Sequence, residues 1–256
     1  MLLVIDIGNT NTVMGIYDGS SLLKDWRVRT ERNTTEDEFN VLVSSLFTAG
    51  GIRPAGITRT VISCVVPPMK TIFDSFCRKY LGHAPFWVDP RAFDLMPILL
   101  PNPAEVGADR IVNGIGAFHR YQSSLVVIDF GTATTFDAIS ERGEYLGGAI
   151  SPGIMISAEA LFQKASKLPR VELFSPPEAA IGKDTASSMQ AGIILGYAGL
   201  VDGMAHRLAS EMATQPKIIA TGGLAELMAG VCRSIEEVDQ SLTLEGLRII
   251  GDLITG

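Results

Sequence analysis

The chain has little of what several protein classes require. Only three cysteines occur in 256 residues, and Cys64, Cys77 and Cys232 have neither metal-ligand nor redox-motif spacing. An odd count of this kind argues against a disulfide scaffold and suits a reducing compartment. Each thiol is expected to pack as a small hydrophobe. The three histidines (His83, His119 and His206) form no metal-ligating pattern either. No apolar run reaches the roughly 20 residues of a membrane-spanning helix. The first residues enter an apolar stretch without the basic region or cleavage site of a signal peptide. Positive charge is scarce as well: 21 Lys and Arg stand against 28 Asp and Glu, for a net charge of −7. A nucleic-acid surface needs a basic face, so no nucleic-acid partner and no membrane partner are expected, and the predicted location is cytoplasmic.

Familiar nucleotide loops are missing too. Gly182-Lys183-Asp184-Thr185 has Pro177 where a Walker loop needs its earlier glycine, and no apolar strand leads into it. Gly114-Ile115-Gly116 has His119 at the third glycine position of a dinucleotide fingerprint. What remains is an ordinary globular composition, 46% hydrophobic and 19% charged, with length enough for one large or two medium domains.

What is present is a repeated turn. Leu2–Ile7 is an apolar run that carries Asp6 near its end, followed by Gly8-Asn9-Thr10-Asn11-Thr12 and a second apolar stretch, Val13–Tyr17. This pattern predicts two buried strands joined by a turn. A carboxylate at the end of a buried strand is costly unless something cationic or hydrogen-bonded meets it. Gly8 frees the backbone there, and the hydroxyls and amides that follow can hold phosphate oxygens. Residues Leu125–Thr135 copy the pattern at an offset of 123, counted from Val4 to Val127. At that offset Val4/Val127, Ile5/Ile128, Asp6/Asp129, Gly8/Gly131, Thr12/Thr135 and Ile16/Ile139 are identical. Two copies imply two similar halves, each offering a carboxylate and a phosphate-sized turn to one cleft, a common setting for a small-molecule site.

The rest of the chain fits an α/β duplication with mixed sheets. After the opening hairpin the pattern predicts a strand over Leu22–Arg29 and a helix starting after Thr34-Thr35, with an acidic first turn and a stop at Gly50-Gly51. A strand over Thr60–Val66, a helix over Lys70–Leu81 and a short strand over Phe86–Val88 follow. Proline-rich Asp89–Val106 reads as a long functional loop, delivering Gly107-Ala108-Asp109-Arg110 to a helix over Ile111–Tyr121. The boundary between halves is placed near residue 120 (1–120 and 121–256). In the second half strands are expected near Phe136–Ile139 and Glu144–Ile150, with a turn at Ser151-Pro152-Gly153. Helices are expected over Ile154–Lys164, Ser187–Glu211 and Leu244–Ile254. A strand over Lys217–Thr221 runs into Gly222-Gly223, whose bare backbone suits a flat adenine.

Two phosphate-type turns followed by a strand–Gly-Gly motif stand in the order of the actin-like ATPase superfamily. Within it the motifs Asp6–Thr12, Asn102-Pro103-x-Glu105-Val106-Gly107-Ala108-Asp109-Arg110, Asp129–Thr134, Gly147-Gly148-x-Ile150-x-Pro152-Gly153 and Gly182–Thr185 together resemble type III pantothenate kinases, along nearly the whole chain. The resemblance implies two ribonuclease H-like halves with an interdomain ATP cleft, and ATP-dependent phosphorylation of pantothenate, the first step of coenzyme A synthesis. It places ATP phosphates on Asp6, Ile7, Gly8, Asn9, Thr10, Asn11, Thr12 and Val13. Thr132 would contact ATP, and Gly222 and Gly223 would flank the adenosine. Asp6 would hold Mg²⁺ through the phosphates, and Asp129 a monovalent cation, K⁺ or NH₄⁺. Asp109 would be the general base, with Gly107, Ala108, Arg110 and Thr185 binding pantothenate. Arg110 has an alternative as an ion-pair partner of Glu105. The resemblance also implies a homodimer, to which the long apolar helix after Ser187 is suited. One departure is Leu100, which stands where many members carry a tyrosine before the Asn-Pro pair. Another kinase or a phosphatase on this fold, or a non-catalytic ATP-binding regulator, is the alternative.

Overall fold

The computed structural model describes residues 1–89 and 96–254, so part of the expected loop Asp89–Val106 lies outside the described residues. The chain forms two compact units. The first comprises Met1–Leu95, Asn102–Gly116 and Thr243–Gly256, and the second Met96–Pro101 and Ala117–Leu242. The division is therefore not one cut near residue 120, since the end of the chain returns to the first unit.

In the first unit β1 (Leu2–Ile7), β2 (Asn11–Asp18), β3 (Ser21–Arg29), β4 (Arg59–Cys64) and β5 (Phe86–Trp87) form one sheet in the order β3-β2-β1-β4-β5. β1 is antiparallel to β2 and parallel to β4. Its near-continuous apolar sequence follows from burial on both faces. Leu3, Ile5 and Ile7 pack with Met14, Ile16 and Ile62 into a core that includes Phe39, Val43 and Phe47 of α1 (Glu36–Gly50) and Phe73 and Phe76 of α2 (Met69–Phe76). α1 starts where the sequence places it: Thr35 caps it, in a reciprocal capping box with Glu38, and Gly51 ends it at φ 71°. The helix expected over Lys70–Leu81 changes to π-type winding at Cys77–Leu81 before Gly82. On the other face of the sheet the C-terminal helix α7 (Leu242–Leu253) comes close enough for Gly251 to lie against Leu2 and Val61. Gly246 of the same helix meets the backbone of Val112. These contacts, possible only without side chains, hold the last helix in the first unit.

The second unit repeats the plan with β6 (Leu125–Phe130), β7 (Ala133–Ile139), β8 (Tyr145–Pro152), β9 (Lys217–Thr221) and β10 (Glu237–Val238), in the order β10-β9-β6-β7-β8. β6 is antiparallel to β7 and parallel to β9. Val126, Ile128, Phe130 and Phe136 pack against Ile194, Tyr197 and Val201 of the long helix α5 (Thr185–Glu211). β8 continues through Ser151-Pro152, the expected turn, and α4 (Ile154–Lys164) begins directly after Gly153. The short helix α6 (Ala225–Ala229) leads to β10, which has only two residues and carries no periodic signal. That strand is secured by Glu237, which accepts from Lys217 Nζ at 2.6 Å and Tyr121 Oη at 2.8 Å.

The strand registers refine the repeat. Ile7 faces Thr12 across β1 and β2, whereas Phe130, its counterpart, faces Thr134 across β6 and β7. The second turn is one residue shorter. Beyond it the structural equivalent of Thr12 is Thr134 and not the identical Thr135, and that of Ile16 is Ala138 and not Ile139. Burial agrees, with Thr12 and Thr134 both enclosed.

Candidate active site

The first turn is braced by the residues that follow β3. Thr30 Oγ1 donates to the Gly8 carbonyl at 2.7 Å, so the Thr12 hydroxyl, 3.0 Å from Thr30 Oγ1, must be the donor of that pair. The Thr30 amide donates to Thr10 O at 2.9 Å, and Gly8 N to Asn11 O at 3.0 Å. Arg32 Nη2 donates to Asn9 Oδ1 at 2.8 Å. Asn9, Thr10 and Asn11 stay exposed at the tip, and Asp6 is half-buried at its base. Sequence reasoning missed Thr30 and Arg32, because a strand end with mixed polar residues has no pattern of its own.

The second turn has a different support. Gly131 N donates to Ala133 O at 3.1 Å, and Gly153 N to Thr132 O at 3.2 Å. A side chain at Gly153 would strike the Gly131 and Thr132 carbonyls, so Gly153 lets the start of α4 sit on the turn. Gly222, at φ 93°, has its backbone against Asp129 Oδ1 and Phe130. The expected cation ligand and the expected adenosine glycine are thus neighbours within the second unit. Asp137, which the sequence reading passed over, is fully enclosed. Its Oδ1 accepts from Tyr145 Oη at 2.7 Å and its Oδ2 from Thr135 Oγ1 at 3.2 Å. The visible signal was a carboxylate on a strand with apolar and threonine neighbours.

Asp109 is the second residue of α3 (Ala108–Tyr121), inside the first turn and not at the cap. Its Oδ1 accepts the Arg110 amide at 2.9 Å. Burial is the main influence on its carboxyl and raises its pKa above the ordinary carboxylate value, against the backbone and the charge of Arg110, which lower it. Gly107 has no Cβ to collide with that carboxylate. Glu105, the alternative partner for Arg110, accepts from Asn102 Nδ2 at 2.8 Å. Gly107 and Ala108 line a cavity of about 320 Å³ with Cys64, Lys70, Asp89 and Glu105. Thr185 lies in the second unit, exposed at the start of α5, and lines a cavity of about 760 Å³ within that unit with Lys183, Met189 and Ile193. Its neighbours in the motif have structural work: Asp184 caps α5 through Ser187 N at 2.8 Å. Leu100 is in van der Waals range of Gly147. The three thiols are free. Burial raises all of them, Cys77 and Cys232 to about 12, which leaves them unreactive.

Among the described residues no group of three or more His, Cys, Asp or Glu could hold a metal ion by itself. A Mg²⁺ ion keeps several waters and is held through one or two carboxylates and substrate phosphates, a demand the half-buried Asp6 at the base of the first turn fits. No helix among the described residues is long and apolar enough to cross a membrane.

The chain is similar to known proteins along its whole length. A family model described as type III pantothenate kinase matches residues 2–207. The type III pantothenate kinase of Desulfatibacillum aliphaticivorans is 66% identical over 255 residues, covering 100% of this chain and 99% of its own. That of Desulforapulum autotrophicum is 62% identical, covering 98% and 97%. Among solved structures, a Baf family protein of Campylobacter jejuni aligns at a TM-score of 0.62 with 18% identity, covering 99% of this chain and 98% of its own. An inorganic polyphosphate/ATP-glucomannokinase of an Arthrobacter species aligns at 0.52 with 16% identity, covering 99% and 98%. At such identities the structural likeness shows the shared fold, two mixed α/β sheets of the actin-like kind.

Proposed function

Because the chain belongs to the type III pantothenate kinase family, we propose that it transfers the γ-phosphoryl group of ATP to the primary hydroxyl of pantothenate, giving 4′-phosphopantothenate and ADP. The observation that carries the reading is Asp109, a sheltered carboxylate at the start of α3 that follows directly on Gly107 and Ala108, which line a cavity. Phosphoryl transfer needs positioning and charge neutralisation more than covalent chemistry. Asp109 accepts the hydroxyl proton as the oxygen attacks Pγ, and the bond from Pγ to the bridging oxygen of ADP breaks. A carboxyl raised toward neutrality is a better matched base than an exposed one. Gly107, Ala108 and Arg110 position pantothenate, and Thr185 adds its hydroxyl.

The exposed Asn9, Thr10 and Asn11 of the Gly8–Val13 turn, which Thr30 and the enclosed Thr12 brace, receive the phosphates, with Asp6 and Ile7 at the base of the turn. Mg²⁺ neutralises phosphate charge when bound, and Asp6 is the residue that would hold it. Thr132 is assigned to ATP, and Gly222 and Gly223 to the adenosine. Asp129 is assigned to a monovalent cation, K⁺ or NH₄⁺, which relieves repulsion between its carboxylate and the triphosphate. A homodimer is part of the proposal. Supporting it, α5 presents Gly192, Gly196, Gly199 and Gly203 with open space where side chains would be, beside a partly exposed Leu200. Light scattering would test it. The cytoplasm is the proposed location.

Phosphorus NMR of the protein with ATP, Mg²⁺, K⁺ and pantothenate tests the reaction. A new phosphomonoester signal in step with ADP is expected. Inorganic phosphate in its place would make water the acceptor and the protein a phosphatase.

A further inference from the structure

Ser63, near the end of β4, is fully enclosed at 0% exposure, and its Oγ has no hydrogen-bond partner. A buried hydroxyl without a partner costs stability, and alanine would occupy the position without that cost. β4 runs parallel to β1, and Ser63 is the register partner of Asp6. Side chains alternate across a strand, so Ser63 lies on the face of the sheet that carries Asp6, opposite Ile5, Ile7 and Ile62 in the core. The second unit repeats the pairing. Thr221 of β9, 2% exposed, is the register partner of Asp129. Each strand-end carboxylate therefore has an enclosed hydroxyl beside it at the same register, although β4 and β9 share no sequence motif.

We propose that Ser63 is a positioning residue for the divalent ion of phosphoryl transfer. Its hydroxyl bonds a water of the hydrated ion that Asp6 holds. The inference rests on the kinase reading above. Mg²⁺ retains several waters when bound by one carboxylate and phosphates, and those waters need fixed partners beyond the carboxylate. Groups in that outer position typically change metal affinity by about 10–100-fold. The assignment explains why a polar side chain occupies an enclosed site where it bonds nothing in the protein.

The test compares wild type with Ser63→Ala by two readouts, neither of which is turnover. The first is Mn²⁺ binding to the ADP-bound protein, followed by electron paramagnetic resonance; the second is the thermal midpoint of the ligand-free protein. The expected result is a Mn²⁺ Kd raised about tenfold, within the range for such partners, with ADP affinity in the absence of metal unchanged. The midpoint of the variant should be unchanged or about 1–4 °C higher, since an unsatisfied hydroxyl has been removed. Equal Mn²⁺ affinity in the two proteins overturns the assignment of Ser63. A midpoint lowered by several degrees does so too, because the hydroxyl then serves the fold. If the wild-type ADP complex binds no Mn²⁺, the kinase reading itself fails, and Ser63 with it.

Discussion

The two strand–turn–strand units start from the same residues and solve the same problem differently. Both place an aspartate near the end of a buried strand and a glycine two residues later. The first then uses Gly8-Asn9-Thr10 to reach β2, whereas the second reaches β7 with Gly131-Thr132 alone. The longer turn is held by side chains: Thr30 and Thr12 form a hydroxyl chain to Gly8 O, and Arg32 holds Asn9. The shorter turn is held by backbone, through Gly153 beneath it and Gly222 against Asp129. A three-residue turn with Asn9 and Thr10 exposed needs hydroxyl and guanidinium props to hold its shape. A two-residue turn needs only neighbours thin enough to come close. Duplication preserved the carboxylates and let the supports diverge.

That contrast can be broken in graded steps. The largest effect is expected in the first unit away from the turn: Asp109→Asn should lower kcat by roughly 10²–10⁴-fold, the usual contribution of a general base. The same variant has a stability signature. With its native pKa raised above the ordinary 3.8, the folded protein binds this proton more tightly than the unfolded chain. Stability then falls as pH rises from about 4 through the raised value, and the penalty stays constant above it. Asp109→Asn should therefore be more stable to urea than wild type at neutral pH, with the difference gone once the pH is below the unfolded value. The wild-type rate should show an acidic limb displaced upward from the ordinary 3.8.

Next in size is the glycine support. Gly222→Ala must adopt φ near 93° and push its Cβ into Asp129 Oδ1, at about 1–3 kcal/mol of strain. Urea unfolding should show that loss, together with a weaker response to K⁺. Gly8→Ala, whose φ is not positive and whose Cβ would be 3.0 Å from Asn11 O, should lose less stability. Equal losses would remove the distinction between the two turns. Smaller again, Thr30→Val should cost about 1 kcal/mol for the lost hydroxyl bonds. Its KM for ATP should rise while the response to K⁺ is kept, which would mark Thr30 as a prop of the first turn only. The smallest effect on turnover belongs to a part shared with neither turn: Thr35→Ala removes the cap of α1 and should cost about 0.5–2 kcal/mol of stability with no change in KM.

Much of this was legible beforehand. Buried strands such as Leu2–Ile7 and Leu125–Phe130 announce themselves by unbroken apolar runs, and α1 by its cap residues at both ends. Asp6, Asp129, Asp109 and Gly222 stand out as candidates because turn chemistry is local in sequence. The register beyond the second turn could not. Thr135 matches Thr12 by letter, and only the cross-strand pairing shows that a deleted residue hands the position to Thr134. The return of α7 to the first sheet was also hidden, since it depends on Gly246 and Gly251 meeting partners far away in sequence. Ser63 and Thr221 escaped notice for a similar reason, being neighbours of their aspartates across a sheet and not along the chain.

The most direct measurement of the central claim is ADP release with and without pantothenate, made on wild type and Asp109→Asn side by side, with ADP binding to both checked by calorimetry. If Asp109 is the general base, release by wild type depends on pantothenate, and turnover collapses in a variant that still binds ADP. Release that does not depend on pantothenate, or a variant as fast as wild type, would contradict it.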